Sequence, residues 1–415
     1  MLRRRAAETP QMSPLLYAAG HTPPVATAVE PVRRLFTPPT GSFWLLGPRG
    51  TGKLTLALQL CPSAVLVDLL DPTVERRLLS RPETFPSLIG DFGDVVICEI
   101  GRVPALVDTV RRLAARQRDR RFVLTSSNAR PLRGERASVF SRRLPRARLY
   151  PYVAGELGAR FQVSDAMRIG LVPSVVEALR PALERADYID RFVKQEVKRE
   201  QLVQHYDHFV RFLDGAAHAQ ATQVLPAQLA RRCEIPKKSV QQFLEVLEDL
   251  FVVERLGPFV QGARRALLTD PKLFFFDAGI QRSLLPNFAQ ETFDDVDAAA
   301  LEGVVFQHLT VWASWAPSAN RTLGFWRTRA GADVDFVVHS RDEFFGIDVK
   351  NVTRLTEDDL RGVLAFSKDY PHAKPIVLYR GTERIEERGV LCTPVQEFLQ
   401  RLHPSRPLGV AARTG

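Results

Sequence analysis

Seven residues, Gly47-Pro48-Arg49-Gly50-Thr51-Gly52-Lys53, fit the spacing G-x-x-x-x-G-K. Before them, Gly41-Ser42-Phe43-Trp44-Leu45-Leu46 is an apolar run that reads as a buried strand, and after them Leu54 to Leu60 reads as a helix. A glycine-rich turn between strand and helix points successive backbone N–H groups into one concavity. That nest suits phosphate, and the helix N-terminus adds positive potential. Lys53 would reach the β/γ-phosphates of a nucleoside triphosphate such as ATP, with Gly47 to Thr55 as the binding segment. The alternative is an ordinary glycine-rich turn. A hydroxyl normally follows the lysine and ligates Mg²⁺, but Leu54 stands there. Thr55 comes one residue later, a rotation of roughly 100° around the helix.

A second acidic position fits the same chemistry. Asp94-Val95-Val96-Ile97-Cys98-Glu99 is an apolar run with a carboxylate at its end. Such strands usually end in Asp-Glu, the Asp supporting Mg²⁺ and the Glu polarising the attacking water. Glu99 is present, but Cys98 replaces the Asp, and a mostly neutral thiol is a poor ligand for hard Mg²⁺. Two readings stand: a weakened or nucleotide-holding site, or an active one whose Mg²⁺ is held by water, phosphate and Glu99. A third strand, Arg121 to Ser126, leads to Ser127 and Asn128, either of which suits a γ-phosphate sensor.

Near the C-terminus, Asp333-Val334-Asp335-Phe336-Val337-Val338 and Phe344-Phe345-Gly346-Ile347-Asp348-Val349-Lys350 read as two strands of a hairpin. Residues i and i+2 of a strand share a face, so Asp348 and Lys350 point together and Asp335 can join them. Asp, then Asp-x-Lys, is the constellation of PD-(D/E)xK nucleases, whose carboxylates hold a divalent metal and whose lysine activates water. A helical Glu usually completes it. Here Gly303 is followed by Gln307 and His308, and Glu302 is expected on another side of the helix.

Together these motifs resemble the prokaryotic AAA-type ATPases that carry a C-terminal nuclease-like domain of unknown function. That family shows GPRxTGKT, DEIQxVPxL, LTGSSAR and an arginine before L-Y-P-L. This chain has GPRGTGKL, CEIGRVPAL, LTSSNAR and SRRLPRARLYPY, then a D-P-K-L-F-F-F-D-A-G strand and turn around Lys272 and Asp277, and Trp326-Arg327. The resemblance covers most of residues 41–400. It implies that Glu99 positions water, that Asn128 senses the γ-phosphate, and that Arg143 acts as an arginine finger on another subunit's nucleotide, hence a homo-oligomeric ring.

The intervening chain must position these groups. Tyr152 to about Gly215 is helical in pattern, with an aromatic and aliphatic stripe that reads as core. Gln223–Arg232, a turn at Glu234-Ile235-Pro236, Ser239–Phe251 and Val252–Leu256 give helix, turn, helix, strand, the layout of a winged helix. Lys237, Lys238, Gln241 and Gln242 fall at the start of its second helix, where such modules contact DNA; packing between domains is the alternative.

The expected architecture is therefore α/β and multidomain. A flexible extension spans 1–40, a P-loop AAA-type core 41–150, and a helical lid 151–215. A winged-helix-like module spans 216–285, a PD-(D/E)xK nuclease-like domain 295–400, and a flexible tail 403–415. The net charge is +10, and residues 101–150 carry 14 arginines against three acidic residues, which suits a polyanion such as DNA. Four scattered cysteines argue against a disulfide framework and fit a reducing cytoplasm. The Arg-rich start resembles a transit peptide, yet its prolines oppose an amphipathic helix, and neither a secretory signal nor a membrane span is expected. Three functions fit: a DNA-acting ATPase, a nucleotide-holding scaffold, and a nucleotide-gated metal-dependent nuclease.

Overall fold

The computed structural model describes residues 32–132, 144–262, 266–285, 298–316 and 320–412, and the backbone of Tyr17–Ala18. These residues divide into two compact units. One holds Tyr17–Ala18, Pro38–Gly47 and Gly52–Leu149; the other holds residues 32–37, Pro48–Thr51 and the chain from Tyr150 onward.

The first unit is built on a six-stranded sheet. Its strands are β1 (Tyr17–Ala18), β2 (Phe43–Leu46), β3 (Val65–Asp68), β4 (Asp94–Cys98), β5 (Arg121–Ser126) and β6 (Arg146–Arg148), in the order β1-β3-β4-β5-β2-β6. All neighbours pair in parallel except β1 with β3. Strands β2, β4 and β5 are almost entirely buried apolar runs, as a sheet covered on both faces requires. In such sheets ligands bind at the carboxyl ends of the strands. Those ends carry Gly47, Asp68, Cys98, Glu99 and Ser127.

The second unit contains the antiparallel pair β7 (Val253–Leu256) and β8 (Lys272–Phe275), which follows the helices Pro226–Cys233 and Lys237–Asp249. A second six-stranded sheet holds β9 (Thr322–Arg327), β10 (Asp333–His339), β11 (Phe344–Lys350), β12 (Lys374–Tyr379), β13 (Ile385–Glu387) and β14 (Val390–Pro394), ordered β13-β14-β12-β11-β10-β9. The helix Ala298–Ser314 is apolar nearly all round, and 12 of its residues are buried. Its core contains Leu301, Val305 and Leu309 together with Phe161 and Met167 on one side of the sequence and Phe336, Ile347 and Leu399 on the other. The segments expected as lid and nuclease-like domain thus share one core. The stripe Tyr188, Val193, Val197, Phe209 and Phe212 is core as well.

The described parts of the two ends expected to be flexible, residues 32–40 and 403–412, make tertiary contacts. In the second unit Arg34 donates to Glu156 Oε1 (2.9 Å), Thr51 O (3.0 Å) and Tyr150 O (2.7 Å), and its guanidinium lies over the Tyr152 ring. Phe36 is buried edge-on against Trp315. At the other end, Leu408–Ala412 is a short helix whose Leu408 and Ala411 are buried and whose Leu408 N–H donates to Glu343 Oε1 at 2.6 Å. Composition reads as disordered there, but the Arg34 guanidinium with Phe36 anchors one segment, and Leu408 and Ala411 with the Glu343 carboxylate anchor the other. Residues 1–31 are otherwise outside the described residues.

Candidate functional site

The glycines of the segment Gly47–Lys53 stand where the backbone requires them. Gly50 and Gly52 have φ of 75° and 84°, and a Cβ at Gly47 would lie 2.2 Å from Leu149 O. The helix begins at Lys53, with no side-chain cap and no acidic residue in its first turn, so its N–H groups face no built-in anion. Lys53 is buried, and its ammonium donates to Gly47 O at 2.8 Å and lies 3.9 Å from Glu99 Oε1. In the second unit, the segment Pro48–Thr51 is tied down residue by residue. Tyr188 Oη donates to Arg49 O (2.9 Å), Ser174 N–H to Gly50 O (3.1 Å), and Arg49 pairs with Glu196 (3.0 Å).

Glu99 sits just past β4 in the left-handed backbone region, φ 54° and ψ 51°, an uncommon conformation for a residue with a side chain. Its Oε2 accepts from both the N–H (2.9 Å) and the hydroxyl (2.8 Å) of Ser127, and its own N–H donates to Thr125 Oγ1. Lys53, Glu99 and Ser127 are thus brought together. Asn128 is buried and its Oδ1 accepts from the Arg130 N–H at 2.8 Å, while Ser127 holds the Glu99 carboxylate. Arg143 lies outside the described residues.

Leu54 is partly buried and Thr55 is exposed, on different sides of the helix. Cys98 is buried; burial above all, then the charges of Asp68 and Glu99, pushes its thiol well up, so it stays neutral. Asp68 faces the thiol across β3–β4, close enough that its charge adds to this shift. Asp68 is the carboxylate that the sequence reading missed. The available signal was a third apolar strand ending in an acid, Val65-Leu66-Val67-Asp68.

In the second unit Asp335, Asp348 and Lys350 come together as the strand pattern predicts. Phe336 faces Ile347 across β10–β11, Val349 N–H donates to Asp335 Oδ2 (3.0 Å), the two aspartates are hydrogen-bonded, and Lys350 Nζ is 2.8 Å from Asp348 Oδ2. The pairing of β10 with β9 shifts register between Val334 and Val337, at Asp335 and Phe336.

Two further residues belong here. Lys272, at the head of β8, is buried, with its ammonium 2.9 Å from Asp335 Oδ1 and 3.4 Å from Glu302 Oε2. Glu302 and Gln307 lie on different sides of the helix, as expected, but it is Glu302 that faces the cluster, while Gln307 donates to Tyr152 O at 2.9 Å. His308 is structural: its Nε2 accepts from Ala154 N–H and its Nδ1 meets Val304 O. The signal for Lys272 was a lysine heading the buried run Leu273-Phe274-Phe275, which demands a counter-charge.

The electrostatics follow the geometry. Burial and the neighbouring Asp335 push Glu302 up to about 8 and Asp348 well above the carboxylate range. Asp335 is buried too, but Lys272 and its hydrogen bonds outweigh that and hold it down at about 2. Asp335 and Asp348 were expected to hold a metal. Among the described residues, however, no three His, Cys, Asp or Glu side chains are grouped to do so. The place between Asp335 and Glu302 is filled by an ammonium.

Lys237, Lys238 and Gln241 are exposed at the start of Lys237–Asp249. An open cleft of about 1030 Å³, lined by Glu343, Lys374, Arg384, Ile385 and Val410 among others, contains no residue of either cluster. Among the described residues no helix is long and apolar enough to cross a membrane.

Comparisons with known proteins agree in part. Residues 160–291 and 298–398 match two models described as domains of unknown function, DUF8612 and DUF4143. The uncharacterised proteins Mb2031c of Mycobacterium bovis and Rv2008c of Mycobacterium tuberculosis are each 25% identical over 364 residues, 86% of this chain and 80% of the relative. Residues 40–158 match the model described as an AAA domain, and this similarity indicates an ATPase-type nucleotide-binding protein.

Proposed function

We propose that this chain is an AAA-type ATP-binding protein that hydrolyses ATP and acts on DNA as a homo-oligomer. The observation that carries the reading is the convergence of Lys53, Glu99 and Ser127 beside a glycine loop of positive φ. The loop and the uncapped helix N-terminus would hold the phosphates, with Lys53 exchanging its Gly47 contact for a phosphate oxygen. Glu99, oriented by two Ser127 hydrogen bonds, would accept a proton from the attacking water. Arg143 of a neighbouring subunit would stabilise developing charge.

The residues fit Mg²⁺ in an altered way. Leu54 offers no oxygen and Cys98 stays neutral, but Asp68 places a carboxylate beside the Cys98 thiol. Asp68 and Glu99 would hold the ion, which when bound neutralises phosphate charge. DNA contact is supported by the exposed Lys237, Lys238 and Gln241 on a helix-turn-helix followed by a two-stranded hairpin, a winged-helix-like layout, and by the net charge of +10. The β9–β14 domain is nuclease-like in its Asp335, Asp348 and Lys350, but its residues do not fit a metal, so cleavage is not part of this reading.

The test is steady-state ATP hydrolysis with and without double-stranded and branched DNA, with Lys53→Ala as control. DNA-stimulated turnover abolished by Lys53→Ala supports the reading. Turnover no higher than in the Lys53→Ala variant, with nucleotide bound, supports the second reading, a nucleotide-holding scaffold, which Leu54 and Cys98 favour. Restoring Leu54→Thr with Cys98→Asp separates the two, because a scaffold with a degraded site should gain turnover and an active enzyme with a rearranged site should not.

A further inference from the structure

The cluster of Lys272, Glu302, Asp335, Asp348 and Lys350 is fully internal to the second unit and does not depend on the nucleotide reading. Glu302 comes from the helix Ala298–Ser314, Asp335 from β10, Asp348 and Lys350 from β11, and Lys272 from β8. Three carboxylates brought into one buried place from a helix and two strands need a counter-charge. A fourth element delivers an ammonium.

We propose that Lys272 is a built-in cation that takes the place of a divalent metal, so that the cluster binds no metal as it stands and accepts one once Lys272 is neutralised.

Three observations support this. First, the ammonium contacts two carboxylates from different elements, Asp335 Oδ1 at 2.9 Å and Glu302 Oε2 at 3.4 Å, as a bridging ion would. Its contacts are of hydrogen-bond length, longer than the roughly 2.1 Å of Mg²⁺–oxygen bonds, so the carboxylates must close in before a metal can be held. Second, Lys272 has no room to withdraw: the residue is 4% exposed, β8 is paired on β7, and Phe274 stacks on Phe306 at 4.1 Å. Phe325 closes the cluster beside the ammonium, 5.8 Å from ring centroid to nitrogen. Third, charge opposes adding an ion to the native set. Two lysines already face the three carboxylates. Adding a divalent ion to this set would leave uncompensated positive charge in a buried site. Replacing Lys272 by a neutral residue and adding the ion brings three carboxylates, Lys350 and the metal to zero.

The test is Mn²⁺ binding by electron paramagnetic resonance on nucleotide-free full-length protein. The variants are Lys272→Met, which keeps much of the side-chain length, Lys272→Gln, and each combined with Asp335→Asn. The expected result is no Asp335-dependent Mn²⁺ in the native protein, and about one Mn²⁺ per chain in Lys272→Met or Lys272→Gln that Asp335→Asn abolishes. The same variants should show a melting temperature that rises with Mn²⁺, and the native protein should not. Native protein that binds Mn²⁺ and loses it on Asp335→Asn would overturn the proposal. So would a folded Lys272→Met or Lys272→Gln variant that gains no Mn²⁺. Should both variants unfold in chelator, failure of Mn²⁺ to restore their far-ultraviolet circular dichroism would overturn it as well.

Discussion

Replacing His308 by glutamine should remove a specific pH dependence from the stability of the second unit. The imidazole is buried between the helix Ala298–Ser314 and Ala154, edge-on to Phe161. Its Nδ1–H donates to Val304 O at 2.7 Å, so Nε2 must be the unprotonated nitrogen that accepts from Ala154 N–H at 2.9 Å. A second proton would set two donors against each other in a dry site. Burial accordingly lowers this histidine from its usual 6.5 to about 4. The folded value lies below the unfolded one, so the unfolded chain binds the extra proton first. The contribution of His308 is full above pH 6.5 and is lost as pH falls toward 4. With one pKa unit equal to about 1.36 kcal/mol, the loss approaches about 3.4 kcal/mol below pH 4 and is already about 2 kcal/mol at pH 5. Asp277 slopes the opposite way: burial raises it to about 6, so its contribution falls as pH rises through that range. The readout must therefore be the difference between native protein and His308→Gln. Urea unfolding followed by tryptophan fluorescence suits it, since Trp312, Trp315 and Trp326 all lie in this unit, against Trp44 in the other. The destabilisation caused by His308→Gln should shrink by about 2 kcal/mol between pH 8 and pH 5. A difference that stays flat across that range would refute the assigned tautomer and burial.

Two further outcomes follow from the contacts described. Glu99→Gln should lower ATP turnover by about 10²- to 10⁴-fold while leaving nucleotide affinity near native, measured by single-turnover hydrolysis and equilibrium binding; equal loss of both would mean that Glu99 only supports the fold. Arg34→Ala should destabilise the second unit by about 3 kcal/mol in urea unfolding, because it leaves the buried Glu156 without its cation. Arg34→Lys should recover little, since a single ammonium cannot reach Glu156, Thr51 O and Tyr150 O as the guanidinium fork does.

The sequence by itself determined the loop, the acidic end of β4, the small polar residues after β5 and the Asp335, Asp348 and Lys350 trio. Each of these rests on contiguous chain or on two strands joined by a tight hairpin, where periodicity alone says which side chains share a face. It also determined the two departures, Leu54 and Cys98, because those are matters of residue type. Only the tertiary structure decided which distant groups answer them. Asp68 reaches Cys98 through the register of two parallel strands that are 30 residues apart in the chain, and no local pattern encodes that register. Lys272 reaches Asp335 across 63 residues and Glu302 across 30. The same holds for Arg34, which reads as part of a disordered leader until Glu156, 122 residues away, provides its partner. The helix Ala298–Ser314 shows the reason most directly. It is apolar on every side, so its sequence carries no periodic mark of which face meets the sheet, and packing alone turned Glu302 toward the lysine and Gln307 away from it.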